Sequence, residues 1–399
     1  MAEKIKELSV RQNGIEVGIL KLIDGKMEFQ YNPDNSIQIS LSLPIQKEAF
    51  KEKSCRAFFG GFLPEDRALR EVLARKYKIG NIDDDFKFLK EIGKDCAGAI
   101  SFNLINEPLN TREDGFEFLS GNILTDDETI KMIKELPQNP YMGSRISLAG
   151  VQTKAAFCLI NNKLAKPNTN VPTTHIVKPP IEKFPDSIQN EYICMKTAKL
   201  AGLEVANVEI RKIKDYEILL IERFDRLKSD NNLYFKRIPQ EDFTQALGKI
   251  SSEKYKITFK DCLKVLEQTT APAKNKQEFI KRVVFNFLIG NNDSHGKNFS
   301  IMTYLNDIKL TPAYDILSTE IYNDNDFAMK IGKAKNRSQI TNDDWKLFAD
   351  DLDVSYKIVE NELIRQQELL PDIISKIAQE FENEISYKIL KFVQSNCKI

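Results

Sequence analysis

Hydrophobic and polar positions change rhythm three times along the chain, and each change marks a different architecture. Over the first hundred residues, VGILKLIDGKMEFQY (17–31) alternates as two strands about an Asp24-Gly25 turn, while EDRALREVLARKY and FKFLKEIGK repeat apolar positions every three to four residues, as amphipathic helices do. Periodicity fades across NEPLNTREDGFEFLSGN, returns in the short helical pattern DDETIKMIKEL, and is lost again in PQNPYMGS. Strand patterns then dominate: ISLAGVQTKAAFCLI, THIVKPP, VANVEIRKI and YEILLIERF, with one helix at about 187–201 capped by Asp186 or Ser187 and stopped by Gly202. From Gln240 the pattern turns helical almost to the end, through EDFTQALGKI, TFKDCLKVLEQT, KQEFIKRVVFNFLIGN, NDDWKLFADDL and the long run after Tyr356. One polar interruption is expected, between Asn291 and Ser318.

These rhythms predict an α+β protein in four parts: a small α/β N-terminal subdomain (1–110), a linker (111–145), a β-rich lobe (146–237) and a helical lobe (238–399). A β-rich lobe followed by a helical lobe with one irregular polar segment suits a two-lobed nucleotide-binding enzyme. The length of 399 residues accommodates such a division. Charge narrows the partners: 58 basic and 58 acidic side chains cancel, so no broad basic face for nucleic acid or anionic membrane is expected. The six cysteines are scattered without a C-x-x-C pair, which fits a reducing compartment, with Cys158 and Cys194 read as small core residues. With only His175 and His295, an H-E-x-x-H zinc site is excluded and a Ser-His-Asp hydrolase is hard to build. The N-terminal residues lack an apolar leader pattern, and no apolar run approaches the ~18 residues of a membrane span; a cytoplasmic protein is expected.

The candidate chemistry sits in the polar interruption, NNDSHGKNFSIMTYLNDIKLTPAYDILS. Asp293 and Asn298 are five residues apart, and Asp315 follows a short hairpin turning at Asn306-Asp307. Phosphotransfer to a hydroxyl uses these types: one carboxylate to orient and deprotonate the acceptor, and an amide with a second carboxylate to hold Mg2+. Spacing alone leaves the plainer reading open, in which Asp293 and Asn298 are turn or cap residues. In the β-rich lobe Lys178 ends a strand from which it could reach ATP phosphates, although a surface lysine before a proline turn explains it as well. Glu191, 13 residues on, either pairs with Lys178 or is a solvated carboxylate. Gly150 in SLAGVQTK allows close backbone approach to phosphate, and Glu222 to Phe224 end a hydrophobic strand suited to an adenine-binding hinge; each also fits ordinary strand and turn structure.

Taken in order, ISLAGVQTK, TTHIVKPP, NEYICMKTAKLAGLEVANVEI, LLIERFDR, RIPQEDFTQALG, FNFLIGNNDSHGKNFSIM and LTPAYDILS resemble the HipA family of serine/threonine-kinase toxins of bacterial toxin–antitoxin pairs. FFGGFLPEDRALRE and FLKEIGKDCAGAISF resemble that family's N-terminal domain. The resemblance implies a protein-kinase-like fold using ATP and Mg2+, with Asp293 as catalytic base and Asn298 and Asp315 as metal ligands. It further implies that His295, Gly296, Lys297, Asn298, Tyr314 and Asp315 line the nucleotide and that Lys178 meets phosphate. Glu222, Arg223 and Phe224 would form the hinge. Ala149, Gly150, Val151, Gln152, Thr153 and Lys154 would form the phosphate loop, and Ser147 would be the autophosphorylated serine. The implied partners are a HipB-like helix-turn-helix antitoxin, through which DNA is contacted indirectly, and a protein target of the translation machinery such as an aminoacyl-tRNA synthetase. Two alternatives remain: a small-molecule kinase of the aminoglycoside or choline type, and a non-catalytic corepressor of a DNA-binding antitoxin. The loop Lys330–Gln339, rich in Lys and Arg, is read as a solvated loop ahead of a nucleic-acid contact.

Overall fold

In the computed structural model, which describes residues 6–108, 111–112, 114–136, 154–168, 171–230 and 233–397, the alternating N-terminal run closes as an antiparallel sheet. Glu7–Gln12 lies between Ile15–Ile23 and Ile100–Asn103, with Lys26–Tyr31 outermost. Asp24 and Gly25 make its hairpin turn with φ of 49° and 78°, the left-handed pair that a two-residue loop requires. Leu8, Val10, Val17, Leu20 and Phe29 bury one face against Phe58 and Phe59 of the helix Glu52–Phe59 and Phe86 and Phe88 of the helix Asp85–Ile92.

A six-stranded sheet forms the β-rich lobe, in the order Val208–Ile213, Tyr216–Glu222, His175–Lys178, Ala155–Ile160, Lys163–Pro167, Gly121–Ile123. The helix Ser187–Leu200 packs behind it, starting after Asp186 and followed by Gly202 at φ 87°. Described residues within the stretch expected to be a linker join the lobe. Gly121–Ile123 pairs with Lys163–Pro167, and the helix Asp126–Lys134 buries Ile133 beside Phe157, Val177 and Ile218. Phe116–Phe118 pairs with Tyr234–Arg237, which in turn pairs with Arg226–Lys228. Strands of three residues carry too few positions to show alternation, and their partners lie far along the chain, so the sequence pattern misses them.

The helical lobe is built on Phe259–Leu266, Pro272–Ile289, Asn342–Asp351, Tyr356–Phe381 and Glu384–Asn396, around a core that includes Phe279, Phe285, Phe299, Phe348 and Ile374. EDFTQALG, expected to be helical, instead begins in the strand Gln240–Asp242 and keeps only the turn Phe243–Ala246, because Gln240–Asp242 pairs with Ser300–Tyr304. The hairpin Ser300–Tyr304/Asp307–Leu310 turns at Leu305-Asn306, one residue earlier than expected, with φ of 49° and 65° there. The helical run is also interrupted a second time, by the hairpin Asp326–Ile331/Ala334–Asn336. On that hairpin Lys330, Lys333 and Lys335 are exposed, whereas Arg337 is folded inward, ion-paired with Glu320 at 3.1 Å and seated over the Phe287 ring. All six cysteines are buried and unpaired. Among the described residues no helix is long and apolar enough to cross a membrane.

Candidate active site

The helix Pro272–Ile289 buries Phe279, Val284, Phe285 and Leu288 and ends at Gly290. Gly290 has φ 80°, and a Cβ there would come within 2.6 Å of the Phe392 ring, so both conformation and space call for glycine. The polar segment that follows is tied down by its own backbone. Asn291 N–H donates to Asn286 O at 2.8 Å, His295 N–H to Asp293 O at 2.9 Å and Asn298 N–H to His295 O at 2.9 Å. The Asn298 side chain adds a fourth tie, donating Nδ2 to Asp293 O at 3.1 Å, so its Oδ1 is the atom left for a ligand. A side chain at Gly296 would collide with Ile257.

A buried charge cluster acts on this loop, with the charge of Asp315 bearing on both Asp293 and His295. Lys178, at the end of its strand, donates Nζ to both Glu191 oxygens at 2.7 and 2.9 Å and to Asp315 Oδ1 at 2.6 Å. The side chains of Lys178 and Glu191 are 5% and 3% exposed, but that of Asp315 is 36% exposed, so the cluster opens on one side. Asp315 also holds a left-handed backbone, φ 57°, a strained conformation that functional sites accumulate. Burial opposes its charge, yet Lys178 and Lys154 hold its carboxyl well below the usual carboxylate range. Burial likewise opposes the charge of Lys178, and Asp315 and Glu191 overcome it, so its ammonium titrates above the ordinary lysine value.

Asp293 behaves differently. Burial pushes its carboxyl up to about 6, and the charge of Asp315 pushes the same way, against a hydrogen bond from Tyr255. That bond runs from the Tyr255 hydroxyl to Asp293 Oδ1 at 3.0 Å, with the Tyr255 ring edge-on to His295 at 5.1 Å between centroids. His295 is buried and pushed down to about 4 by that burial, which leaves it neutral near pH 7. Its Nδ1 has no hydrogen-bond partner among the described residues. Lys154, at the edge of the loop implied to bind phosphate, is lowered to about 8, first by burial and then by Lys178, against the attraction of Asp315.

Several implied nucleotide contacts take a particular form. The Lys297 ammonium is occupied, donating to Asp242 Oδ2 at 2.9 Å and Gly61 O at 3.1 Å, so Lys297 reaches the site through its backbone. Tyr314 fixes that backbone, its hydroxyl donating to Lys297 O at 2.7 Å, and its ring lies 5.7 Å from that of Phe224. At the hinge, Glu222 N–H is committed to Asn207 O and Arg223 N–H to Thr174 O, which leaves Phe224 as the hinge residue with a free amide among the described residues. The Arg223 side chain turns away into a buried network with Asp95, Asp225 and Thr173. Ser147 and the loop positions Ala149, Gly150, Val151, Gln152 and Thr153 lie outside the described residues. Sequence reading missed Tyr255, whose place at Asp293 depends on folding rather than spacing.

The HipA-like C-terminal domain matches residues 146–385 and the HipA N-terminal domain residues 8–103. The chain belongs to the HipA family. Sinorhizobium fredii Y4mE, provisionally named a kinase, is 35% identical over 87% of this chain and 84% of its own length. The serine/threonine-protein kinase toxin HipA of Shewanella oneidensis is 28% identical over 80% of this chain and 76% of its own length. The Shewanella oneidensis HipA structure, solved with HipB and operator DNA, superposes with a TM-score of 0.85 at 25% identity, covering 98% of this chain and 96% of the other. The protein is thus a HipA-family kinase toxin with a two-lobed, kinase-like α+β fold, and its family implies use of ATP.

Proposed function

We propose that this chain is an ATP- and Mg2+-dependent serine/threonine protein kinase that arrests growth by phosphorylating a protein of the translation machinery, such as an aminoacyl-tRNA synthetase. The observation that carries the reading is the cluster itself: Asp315 of the helical lobe is bonded to Lys178, which Glu191 holds in the β-rich lobe, and the charge of Asp315 bears on Asp293, whose carbonyl Asn298 holds. The acceptor oxygen attacks the γ-phosphorus, its proton passes to the Asp293 carboxylate, and ADP departs with the bridging oxygen. Lys178 supplies a fixed cation for the phosphates, and Glu191 fixes Lys178. Phe224 and Tyr314 form the apolar floor for adenine.

Asp315 and Asn298 offer a carboxylate and an amide oxygen, the hard donors that suit Mg2+. Such a cation would neutralise charge on the transferring phosphoryl group. Ser147 is the proposed autophosphorylation site. About two added negative charges beside the loop ending at Lys154 would repel ATP. A HipB-like helix-turn-helix antitoxin is the proposed partner, and a near-neutral toxin fits an arrangement in which that partner holds the DNA. A cytoplasmic location follows from that partnership.

Incubation with γ-labelled ATP tests the reading. Label on this chain and on one or more lysate proteins is expected, with Ser147→Ala removing the main self-label by mass spectrometry. Label confined to small molecules would move the assignment to a small-molecule kinase, and no label at all would favour a non-catalytic corepressor.

A further inference from the structure

The N-terminal domain brings a carboxylate of its own to the edge of the site. Glu65, just past the turn Gly60–Phe62, pairs with Lys254 at 2.9 Å and lies 3.7 Å from Lys297. The same contact surface is braced on both sides: Ser40 Oγ donates to Glu241 at 2.6 Å, and Gln245 Nε2 donates to Phe58 O at 2.9 Å. The two lysines differ in their alternatives. Lys297 has Asp242, Gly61 O and Ser251 besides Glu65, so it stays anchored without Glu65. Lys254 is buried, with Glu65 as its only ion-pair partner among the described residues and its ammonium 5.2 Å from the Tyr255 ring centre. Tyr255, over whose ring Lys254 lies, donates its hydroxyl to Asp293 at 3.0 Å, and the charge of Lys254 acts on Asp293 as well as on Glu65.

We infer that Glu65 is a positioning residue for phosphotransfer: it holds Lys254 away from the Asp293 carboxylate, so that Asp293 stays free to receive the acceptor hydroxyl. The inference rests on the kinase reading of Asp293. A buried ammonium stripped of its partner is costly and moves to the nearest anion it can reach. Without the Glu65 charge that anion is Asp293, and an ion pair there competes with the acceptor for the same oxygens. Tyr255 already shows how such a group is accommodated, since its neutral hydroxyl touches Oδ1 alone and leaves Oδ2 open. The N-terminal domain thereby contributes to the active site through a charge it keeps elsewhere.

The test is a double-mutant cycle on the full chain. Glu65→Gln should lower the maximal rate of self-phosphorylation roughly tenfold with half-saturating ATP unchanged, about 1.4 kcal/mol on the barrier. Glu65→Asp should recover part of that rate. Lys254→Met alone should stay within about threefold of wild type, and Glu65→Gln with Lys254→Met should return to within about threefold, because the competing cation is gone. A merely structural Glu65 would leave the double variant as slow as Glu65→Gln or slower. An unchanged Glu65→Gln, or a Lys254→Met as impaired as Glu65→Gln, would also overturn the inference. A crystal structure of Glu65→Gln gives a readout independent of activity: Lys254 Nζ within hydrogen-bond distance of an Asp293 oxygen is expected, and Lys254 left in its present place refutes the inference. If wild type incorporates no phosphate, the kinase reading fails and the phosphotransfer role with it, while the crystal structure still shows separately whether Glu65 keeps Lys254 from Asp293.

Discussion

Two buried charge clusters lie within this fold, and they are built to opposite ends. In the first, Asp95 and Asp225 are enclosed by Arg223, Arg226 and Arg237, with Glu117 completing the pairing of Arg237 at 2.7 Å. Thr173 and the carbonyls of Cys96 and Gly98 take up further donors and acceptors, so the cluster is closed on every side and fastens the N-terminal domain to the hinge. In the second, Lys178 and Glu191 are equally buried, but Asp315 reaches solvent, holds a strained backbone and faces a raised carboxylate, Asp293. Matched charges with no opening serve cohesion. Charges left open on one face are available to a ligand, and the difference separates a fastening from a site without reference to residue type.

The contrast can be broken by exchanging the effects of mutation. Lys178→Met should reduce phosphotransfer by about 10²–10³-fold, since it removes the fixed cation at the phosphates, and steady-state kinetics with labelled ATP would show it. Its stability cost should be the smaller of the two, because Asp315 can turn to water and the Glu191 carboxyl, which burial already pushes up, can take a proton. Asp95→Ala should do the reverse, costing about 3–5 kcal/mol in urea unfolding by leaving buried guanidinium groups unmatched, while folded molecules keep their rate. A large rate loss in Asp95→Ala without unfolding would dissolve the distinction.

A smaller effect is expected from pH. Asp293, at about 6, works as a carboxylate, so activity should fall as pH drops through about 6; Lys154, at about 8, loses its charge above that point, so ATP affinity should weaken as pH rises through about 8. A bell-shaped rate profile with those two limbs sharpens the account, and a flat profile between pH 5 and pH 9 speaks against both assignments.

The two clusters also differ in how far they could be read from sequence. Asp293, Asn298 and Asp315 share one polar interruption, and Lys178 and Glu191 are 13 residues apart on a strand and the helix after it, so local spacing brings them into view. The closed cluster joins residues more than a hundred positions apart, such as Asp95 and Arg226, and no local pattern couples them. Strand and helix types were legible wherever a run held several periods, as in the helix Pro272–Ile289. They were not legible in Phe116–Phe118 or Gly121–Ile123, where three residues owe their form to distant partners. Lys297 shows the remaining gap: its position in the catalytic loop was readable, but the direction of its ammonium is set by Gly61 and Asp242, which only folding brings near.

The central claim is that Asp293 is the base of a phosphotransfer site, and Asp293→Asn tests it most directly because the change removes a charge and preserves shape. Single-turnover transfer from γ-labelled ATP, measured beside ATP binding by calorimetry and thermal unfolding, should fall at least about 10²-fold with affinity and melting temperature near wild type. An Asp293→Asn protein that transfers phosphate at the wild-type rate would contradict it.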